Sequence, residues 1–285
     1  MYATLITPHE LKALQQQGTP CAVFDCSFDL MKPELAGGFF AAERIAGALP
    51  ADLNKDLSTH EAGMSVNGGR HPLPQREAVA RWLGSLGVHN GMQIVVYDRN
   101  KSQYCGRMWW MLKWLGHEAV AVLDGGLQTW KEAGGATDSG PFTRPAPAQF
   151  EVKAPLRQLV LTDTVASHLG ESGQTVVDAR AGARYRGEVE PLDPVAGHIP
   201  GALNRPFTEN FTEDGRFKSP ERLKAEWTEV LAGRSASSVV HHCGSGVTAV
   251  PNLLAMELAG FGPTALYAGS WSEWCTTPGL PCAKG

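Results

Sequence analysis

The segment from Ser238 to Ala249 places a cysteine between an apolar run and a glycine-rich turn. It reads Ser-Val-Val-His-His-Cys-Gly-Ser-Gly-Val-Thr-Ala, so that Gly244 and Gly246 flank Ser245 directly after Cys243. Glycines allow positive φ angles, and successive backbone N–H groups can then converge on an anion. A helix that begins after the turn adds the partial positive charge of its N-terminus. These features favour the thiolate form of Cys243, which makes it a candidate nucleophile.

The other five cysteines, at positions 21, 26, 105, 275 and 282, lack this setting. Cysteine is among the most buried residue types and is usually inert when buried, so we expect these five to be core or surface residues. No C-x-x-C pair is present, which argues against a zinc ribbon. We also expect no disulfide framework in a chain of this size without an export signal.

An internal repeat predicts that the chain holds two related domains. Four first-half segments recur in the same order in the second half, 23–25 as 177–178, 44–49 as 198–203, 94–98 as 239–243 and 123–126 as 267–270. Between the copies, Pro141, Pro145 and Pro147 disfavour a helix or a central strand. We therefore predict one domain over 1–138, a proline-rich linker over 139–154 and a second domain over 155–285.

Alternating strand and helix patterns predict an α/β fold in each domain. Short Val-rich runs indicate strands at 22–25, 93–97, 119–123, 175–177, 238–241 and 265–267, and helical patterns cover 76–86, 107–115 and 247–258. The expected architecture is two tandem domains, each a doubly wound, mainly parallel sheet flanked by helices. Ligands bind beyond the carboxyl ends of such strands, which is where Cys243 stands. The first twenty residues read as helical, and Pro251 is expected to disturb a backbone bond of its helix.

Composition excludes some partners. The net charge is −4 and the sequence pI is about 6.1, which gives no electrostatic reason to bind nucleic acid or an anionic membrane. No apolar run approaches the roughly 18 residues that cross a bilayer. The first twenty residues lack the basic and apolar regions of a secretory signal. We expect a cytoplasmic, monomeric protein with no membrane or nucleic-acid partner.

Several segments together resemble the rhodanese superfamily. Residues 243–249 resemble its active-site loop and are most similar to the 3-mercaptopyruvate sulfurtransferase branch, while 197–202 and 269–274 resemble two further signatures. In the first half, 107–117 and 123–126 match the tandem form. The resemblance implies two rhodanese-like domains of which only the second is catalytic. Asp98 occupies the place of Cys243 in the first copy, and an aspartate cannot carry a persulfide.

The resemblance implies a ping-pong sulfurtransferase. Cys243 would take sulfur from a small anionic donor, with 3-mercaptopyruvate favoured and thiosulfate a close second, and pass it to a thiophilic acceptor such as cyanide or a thiol. No metal or organic cofactor is needed for this chemistry. The thiosulfate branch typically has basic residues directly after the cysteine, whereas this chain has Gly244 and Ser245. That difference favours mercaptopyruvate.

The resemblance also assigns site residues. Arg184 would bind the anionic donor through its forked guanidinium, and Ser245 would act beside the nucleophile. His71 would pair with a carboxylate, Asp52 or alternatively Asp56, and supply a proton. The stretch 188–196 contains no arginine, although the family's mercaptopyruvate enzymes carry a second one there. The remaining predicted substrate-binding residues are Gly244, Gly246, Val247 and Thr248.

Two alternatives belong to other functional classes. A related fold uses His-Cys, five residues and then Arg as a phosphatase loop, but Ala249 stands where that arginine would neutralise phosphoryl charge. A non-catalytic rhodanese module would serve as a binding or regulatory partner, and such modules usually lose the cysteine. Because Cys243 and its glycines are intact, we favour the enzyme.

Overall fold

The computed structural model describes all 285 residues and divides them into two compact units. The first unit contains Met1–Met64, Pro74–Leu156 and Glu213–Arg216, and the second contains Ser65–Leu73, Arg157–Thr212 and Phe217–Gly285. Each unit thus includes a short segment from the other half of the chain. As a result, the segment that carries His71 belongs to the same unit as Cys243.

The first unit is built on a five-stranded parallel sheet. Its strands are β1 (Leu5–Ile6), β2 (Cys21–Asp25), β4 (Leu49–Pro50), β5 (Gln93–Tyr97) and β6 (Val120–Leu123), while β3 (Arg44–Ile45) pairs antiparallel with β7 (Thr137–Asp138). Its helices are α1 (Pro8–Gln16), α2 (Ala36–Ala42), α3 (Arg76–Ser85), α4 (Cys105–Trp114) and α5 (Gly126–Glu132), with a 3₁₀ turn at Pro33–Leu35. The strand order is β1-β6-β5-β2-β4.

The second unit repeats this plan. Its strands are β8 (Leu159–Val160), β9 (Thr175–Asp178), β10 (Leu203–Asn204), β11 (Val239–His242) and β12 (Ala265–Tyr267), all parallel and ordered β10-β9-β11-β12-β8. Its helices are α6 (Thr162–Ser167), α7 (Gly182–Tyr185), α8 (Pro220–Leu231), α9 (Val250–Leu258) and α10 (Ser270–Trp274), with 3₁₀ turns at Phe207–Asn210 and Ala236–Ser238. Counted along its own segment of chain, each sheet has its strands in the same spatial order, as a duplicated domain predicts.

The predicted α/β fold with parallel sheets is confirmed, and each of the six predicted strands lies within one residue of its observed bounds. Two expectations were wrong. The first twenty residues contain β1 as well as α1, because Leu5 pairs with Val122 at the sheet edge. Helix α9 begins at Val250, so Pro251 lies in the first turn, where its missing N–H removes no intrahelical bond.

Large aromatic side chains fill the core of each unit. Tyr97 and Trp130 are fully buried in the first, and Tyr267, Trp271 and Trp274 are fully buried in the second. The proline-rich segment 139–154 packs on the first unit, since Ala148 N donates to Gly84 O and Lys153 N donates to Leu115 O at 2.8 and 2.9 Å. None of the helices combines the length and apolarity that a bilayer span requires.

The loop after β5 shows how the first copy uses the position that corresponds to Cys243. Asp98 is buried, and its carboxylate accepts four backbone hydrogen bonds of 2.8–2.9 Å from the N–H groups of Asn100, Ser102, Tyr104 and Cys105. Burial raises the pKa of Asp98, and these N–H groups oppose that rise. The Asp98 carboxylate thus satisfies the backbone donors of its own loop.

Replacement of Asp98 by asparagine is expected to lower the free energy of unfolding of the first unit by about 2–4 kcal/mol, because an amide NH₂ would face N–H donors in a buried cradle. The matched control is Asp29→Asn, since Asp29 also accepts two backbone N–H groups but lies on a partly exposed turn. We expect a change below about 1 kcal/mol there. Urea unfolding measures both, and equal effects would contradict the prediction.

Candidate active site

Cys243 lies directly after β11 and is only 1% exposed. Its backbone is tied to the start of α10. Cys243 N donates to Ser270 Oγ at 3.1 Å, Trp271 N donates to Cys243 O at 3.0 Å, and Ser272 N donates to Gly244 O at 2.9 Å. The carboxyl end of the strand and the short helix together fix the position of the thiol.

The loop that follows this cysteine contains several uncommitted backbone donors. The N–H groups of the loop between β11 and α9 have no protein acceptor at Gly244, Ser245, Val247, Thr248 and Ala249. Apart from the partly exposed Thr248, these residues are buried. Buried N–H groups are normally satisfied, so this group of donors is suited to an external anion. In the first unit the side chain of Asp98 takes up the corresponding donors.

Glycine is required at 246 for two separate reasons. Its φ angle is +71°, and a Cβ atom there would lie 2.4 Å from Ala268 O, a backbone atom that cannot move aside easily. The chain directly after β12 thus passes so close to the loop that no side chain fits. The conformation that exposes the loop donors depends on this contact.

A Gly246→Ala substitution is expected to destabilise the second unit by about 2–4 kcal/mol and to abolish activity, because backbone strain and a steric clash add together. The control is Gly260→Ala, where φ is +79° but nothing lies within 4 Å of the added Cβ. Strain alone predicts a loss of about 1 kcal/mol there. If both variants lose the same stability in urea, the close approach to Ala268 has no energetic importance.

Ser245 and His71 form a buried polar pair. His71 Nδ1 lies 2.7 Å from Ser245 Oγ, and both side chains are at least nine-tenths buried. The ring nitrogen is a donor or an acceptor depending on its tautomer. Two residues that are far apart in the sequence therefore meet beside the nucleophile, where they can exchange a proton.

Arg184 extends from α7 toward two buried carboxylates. Its Nη2 donates to Glu190 Oε1 at 2.6 Å and to Asp193 Oδ2 at 3.2 Å, and its Nε donates to Glu190 Oε2 at 3.2 Å. Arg70 Nη1 donates to the other oxygen of Asp193 at 2.6 Å. Asp193 thus bridges two guanidinium groups.

A third guanidinium lies deeper. Arg180 donates to Asp178 through Nε and Nη2 at 3.0 and 2.6 Å, contacts Glu190 through Nη1 at 3.3 Å, and lies over the Trp271 ring. Burial opposes the charged form of Arg180, but Asp178 and Glu190 raise its pKa. Burial alone would raise the pKa of Asp178, but the His242 ring, once protonated, and the Arg180 guanidinium hold it below its usual value. Both groups are therefore charged.

The two histidines before the cysteine face opposite sides of β11, as strand alternation requires. His241 packs edge-on against Trp227 and lies near Met256, and burial lowers its pKa to about 3. The His242 ring lies 3.7 Å from Asp178, and burial lowers its pKa as well. Both rings are neutral in the folded state at neutral pH.

The stability of the second unit is expected to fall as the pH drops from about 6.5 to about 3. Unfolded His241 gains a proton near pH 6.5, whereas the folded ring gains one near pH 3, so the unfolded state binds more protons in between. One histidine contributes a slope of up to about 1.4 kcal/mol per pH unit. His241→Gln should reduce this slope, and His168→Gln, at an exposed site, should not. Urea unfolding at several pH values gives the pH dependence of the free energy of unfolding. The same pH dependence in wild type and His241→Gln would contradict this prediction.

The structure brings most predicted site residues together. Cys243, Gly244, Ser245, Gly246, Val247 and Thr248 form the loop, and His71 contacts it at Ser245. A Cβ built on Gly244 would lie 3.6 Å from Arg184 Nη1. Asp52 belongs to the first unit, where its Oδ1 accepts from Asn54 N at 2.8 Å and its carboxylate pairs with Lys55. Its pairing with His71 stays a prediction.

Sequence reasoning missed the charged residues around Arg184, among them Arg70, Glu190 and Asp193. A weak signal existed for each. Arg70 directly precedes His71, and the two acids lie in the stretch that was notable only for lacking an arginine. The contacts of Glu190 and Asp193 with Arg184, and of Arg70 with Asp193, depend on the paths of two irregular segments, which no local pattern encodes.

Comparisons with known proteins agree with this geometry. The family profile described as "Rhodanese-like domain" matches residues 7–133 and 161–277. The "Probable 3-mercaptopyruvate sulfurtransferase" of Pseudomonas aeruginosa is 44% identical over 285 residues, which cover 99% of each chain. The human "3-mercaptopyruvate sulfurtransferase" is 38% identical, with 90% of this chain and 86% of that protein covered. The bovine "Thiosulfate sulfurtransferase" is 39% identical, with 71% and 69% covered.

Solved structures extend the comparison. The structure of "3-mercaptopyruvate sulfurtransferase from Leishmania major" superposes with a TM-score of 0.83 at 29% identity, covering 98% of this chain and 76% of that one. The chain is a tandem α/β protein. It has two parallel-sheet domains, and a cysteine loop lies at the carboxyl edge of the second sheet. The chain belongs to the rhodanese family and contains two rhodanese-like domains. Within that family it is a sulfurtransferase, which confirms the enzyme class expected from the sequence.

Proposed function

We propose that this chain moves sulfur from 3-mercaptopyruvate, in preference to thiosulfate, through a persulfide on Cys243 to a thiophilic acceptor such as cyanide or a thiol. The observation that carries the proposal is the setting of Cys243. It lies among backbone N–H groups that have no protein acceptor, next to the Ser245–His71 pair and the guanidinium of Arg184. The similar proteins are named for both sulfur donors, so the preference rests on the site itself.

In the first half-reaction, the Cys243 thiolate attacks the thiol sulfur of 3-mercaptopyruvate. A sulfur–sulfur bond forms and the carbon–sulfur bond breaks, and its electron pair passes to the carbon to give the enolate of pyruvate. The thiol loses its proton and the enolate carbon gains one, so the products are pyruvate and an enzyme persulfide anion. In the second half-reaction, cyanide attacks the outer sulfur and leaves as thiocyanate, which restores the thiolate.

The cysteine loop, the Ser245–His71 pair and Arg184 each have a role in this scheme. The loop N–H groups stabilise the negative charge of the thiolate and of the persulfide. The Ser245 hydroxyl, 2.7 Å from His71 Nδ1, delivers the proton to the enolate, and His71 resupplies it. Arg184 Nη1, which lies near Gly244, binds the carboxylate of the sulfur donor.

The charge balance of the site favours mercaptopyruvate over thiosulfate. Three guanidinium groups, Arg70, Arg180 and Arg184, are matched by three buried carboxylates, Asp178, Glu190 and Asp193. The cluster therefore has no excess positive charge to offset a dianion beside a thiolate. Mercaptopyruvate brings one carboxylate charge at neutral pH, whereas thiosulfate brings two charges, so its repulsion is larger.

Cyanide-dependent thiocyanate formation tests the proposal, with both sulfur donors and with wild type, Cys243→Ser and the exposed-cysteine control Cys282→Ser. We expect a higher kcat/KM with mercaptopyruvate. Cys243→Ser should lower turnover by about a thousandfold or more, as loss of a nucleophile does, while Cys282→Ser should match wild type. Intact mass after donor treatment should show one added sulfur atom, removable by cyanide, in wild type and Cys282→Ser only.

Other outcomes would contradict the proposal in distinct ways. Faster turnover of thiosulfate would show that the charge argument fails. No added sulfur with either donor would favour a binding or regulatory module. Hydrolysis of an aryl phosphate that disappears in Cys243→Ser would favour a phosphatase.

A further inference from the structure

The segment Ser65–Leu73, which carries His71, is a short loop of the second unit. Val66 N donates to Leu73 O at 2.8 Å, and this bond closes the base of the loop. The tip of the loop, Gly68–His71, begins with two glycines, whose backbone takes many conformations unless another element restrains it. The position of the His71 ring therefore depends on contacts that the tip makes outside its own loop.

The side chain of Glu273, on helix α10, makes one of these contacts. Its Oε1 accepts from Gly68 N at 2.9 Å. A Cβ built on Gly68 would lie 2.9 Å from this oxygen, and a Cβ built on Gly269 would overlap the other carboxylate oxygen, Oε2. The carboxylate thus occupies a space that exists only because neither of the two glycines carries a side chain.

The same helix holds the next two residues of the tip. Ser272 Oγ accepts from Arg70 N at 2.9 Å, and a Cβ on Gly69, where φ is +86°, would lie 2.7 Å from that hydroxyl oxygen. His71 follows directly, and its Nδ1 lies 2.7 Å from Ser245 Oγ. Helix α10 therefore restrains the backbone up to the residue before the histidine.

The second oxygen of the Glu273 carboxylate is left without a partner. Oε2 is buried and makes no hydrogen bond. A buried polar atom without a partner lowers the stability of the fold, and the cost is larger for a charged group. Stability therefore does not explain why a carboxylate stands here. The bond to Gly68 N does, because a backbone N–H bonds more strongly to a carboxylate than to a neutral acceptor.

We infer that Glu273 is a positioning residue that keeps the His71 ring against Ser245, and that it thereby favours sulfur donors whose reaction needs a proton. This inference rests on the proposed function, in which the Ser245–His71 pair protonates the enolate. Glu273 acts through the backbone of the tip and not on the donor itself.

The two sulfur donors differ in their need for this proton. With 3-mercaptopyruvate, the carbon–sulfur bond breaks and the enolate carbon gains a proton. With thiosulfate, the Cys243 thiolate attacks the outer sulfur, a new sulfur–sulfur bond forms, the old one breaks, and its electron pair leaves with sulfite. No proton is transferred in that step. A displaced His71 ring should therefore slow the reaction of mercaptopyruvate and not that of thiosulfate.

Kinetics with both donors test this role. Glu273→Ala should lower kcat/KM by about 10- to 100-fold for mercaptopyruvate and by less than about threefold for thiosulfate, because only the first needs a placed proton donor. Glu273→Gln keeps an oxygen for Gly68 N and should recover most of the loss. In a His71→Ala background, Glu273→Ala should cause no further loss. Glu229→Ala, which removes an exposed carboxylate from α8, should match wild type.

A chemical measurement keeps the inference independent of turnover. Diethyl pyrocarbonate modifies accessible imidazole rings, and peptide mass spectrometry gives the modified fraction of each histidine. The buried His71 should react slowly in wild type and in Glu273→Gln, and about tenfold faster or more in Glu273→Ala, because the tip opens locally. The buried His241 should stay protected in all three proteins.

Several results would overturn the inference. They are equal losses for both sulfur donors in Glu273→Ala, a further loss in the His71→Ala background, continued protection of His71 in Glu273→Ala, or faster modification of His241 as well, which would show general unfolding. If wild type turns over neither sulfur donor, the proposed function fails, and the modification rates still decide whether Glu273 holds His71.

Discussion

A chain of alternating charges, buried at one end and partly exposed at Arg184 and Arg70, fixes the functional edge of the second sheet. It runs from Asp178 through Arg180, Glu190, Arg184 and Asp193 to Arg70. Removing one partner of a buried ion pair leaves an uncompensated charge, which typically costs about 3–5 kcal/mol. Each member therefore restrains the next, and the end of β9, the helix α7 and the segment that carries His71 cannot shift independently. The positions of the Arg184 and Arg70 guanidinium groups follow from this restraint.

The loop that follows the central strand of each sheet has a different role in the two copies. After β5 and after β11, the chain leaves the centre of a parallel sheet and turns, which exposes several backbone N–H groups in each case. In the first copy the Asp98 carboxylate satisfies four of them, so the loop is closed by its own anion. In the second copy, Cys243 and its glycines leave the donors uncommitted. The backbone thus supplies an anion cradle in both units, and the side chain decides which anion fills it.

The sequence was sufficient for the sheets and the nucleophile loop because both depend on local patterns. Buried parallel strands are continuous apolar runs, and Gly246 marks a turn that no other residue can make. The sequence was insufficient to predict contacts between distant segments. The two-residue strand β1 exists only because it pairs with β6, and the contact between Arg70 and Asp193 depends on two irregular segments. Helix α9 begins later than its periodicity suggested because the loop residues before Val250 keep their N–H groups free of the helix.

Helix α10 has only five residues, yet nearly all its polar groups are engaged in positioning. Ser270 Oγ accepts from Cys243 N, Ser272 Oγ accepts from Arg70 N, and Glu273 accepts from Gly68 N. Of these three side chains only Glu273 keeps an oxygen, Oε2, without a hydrogen-bond partner. Because one short helix holds the backbones of Cys243 and Arg70, the fold sets the separation of these two residues. Under the proposed function, a sulfur donor that reaches Cys243 meets the guanidinium groups of Arg70 and Arg184 at a fixed separation, so the fold limits the length of the donor.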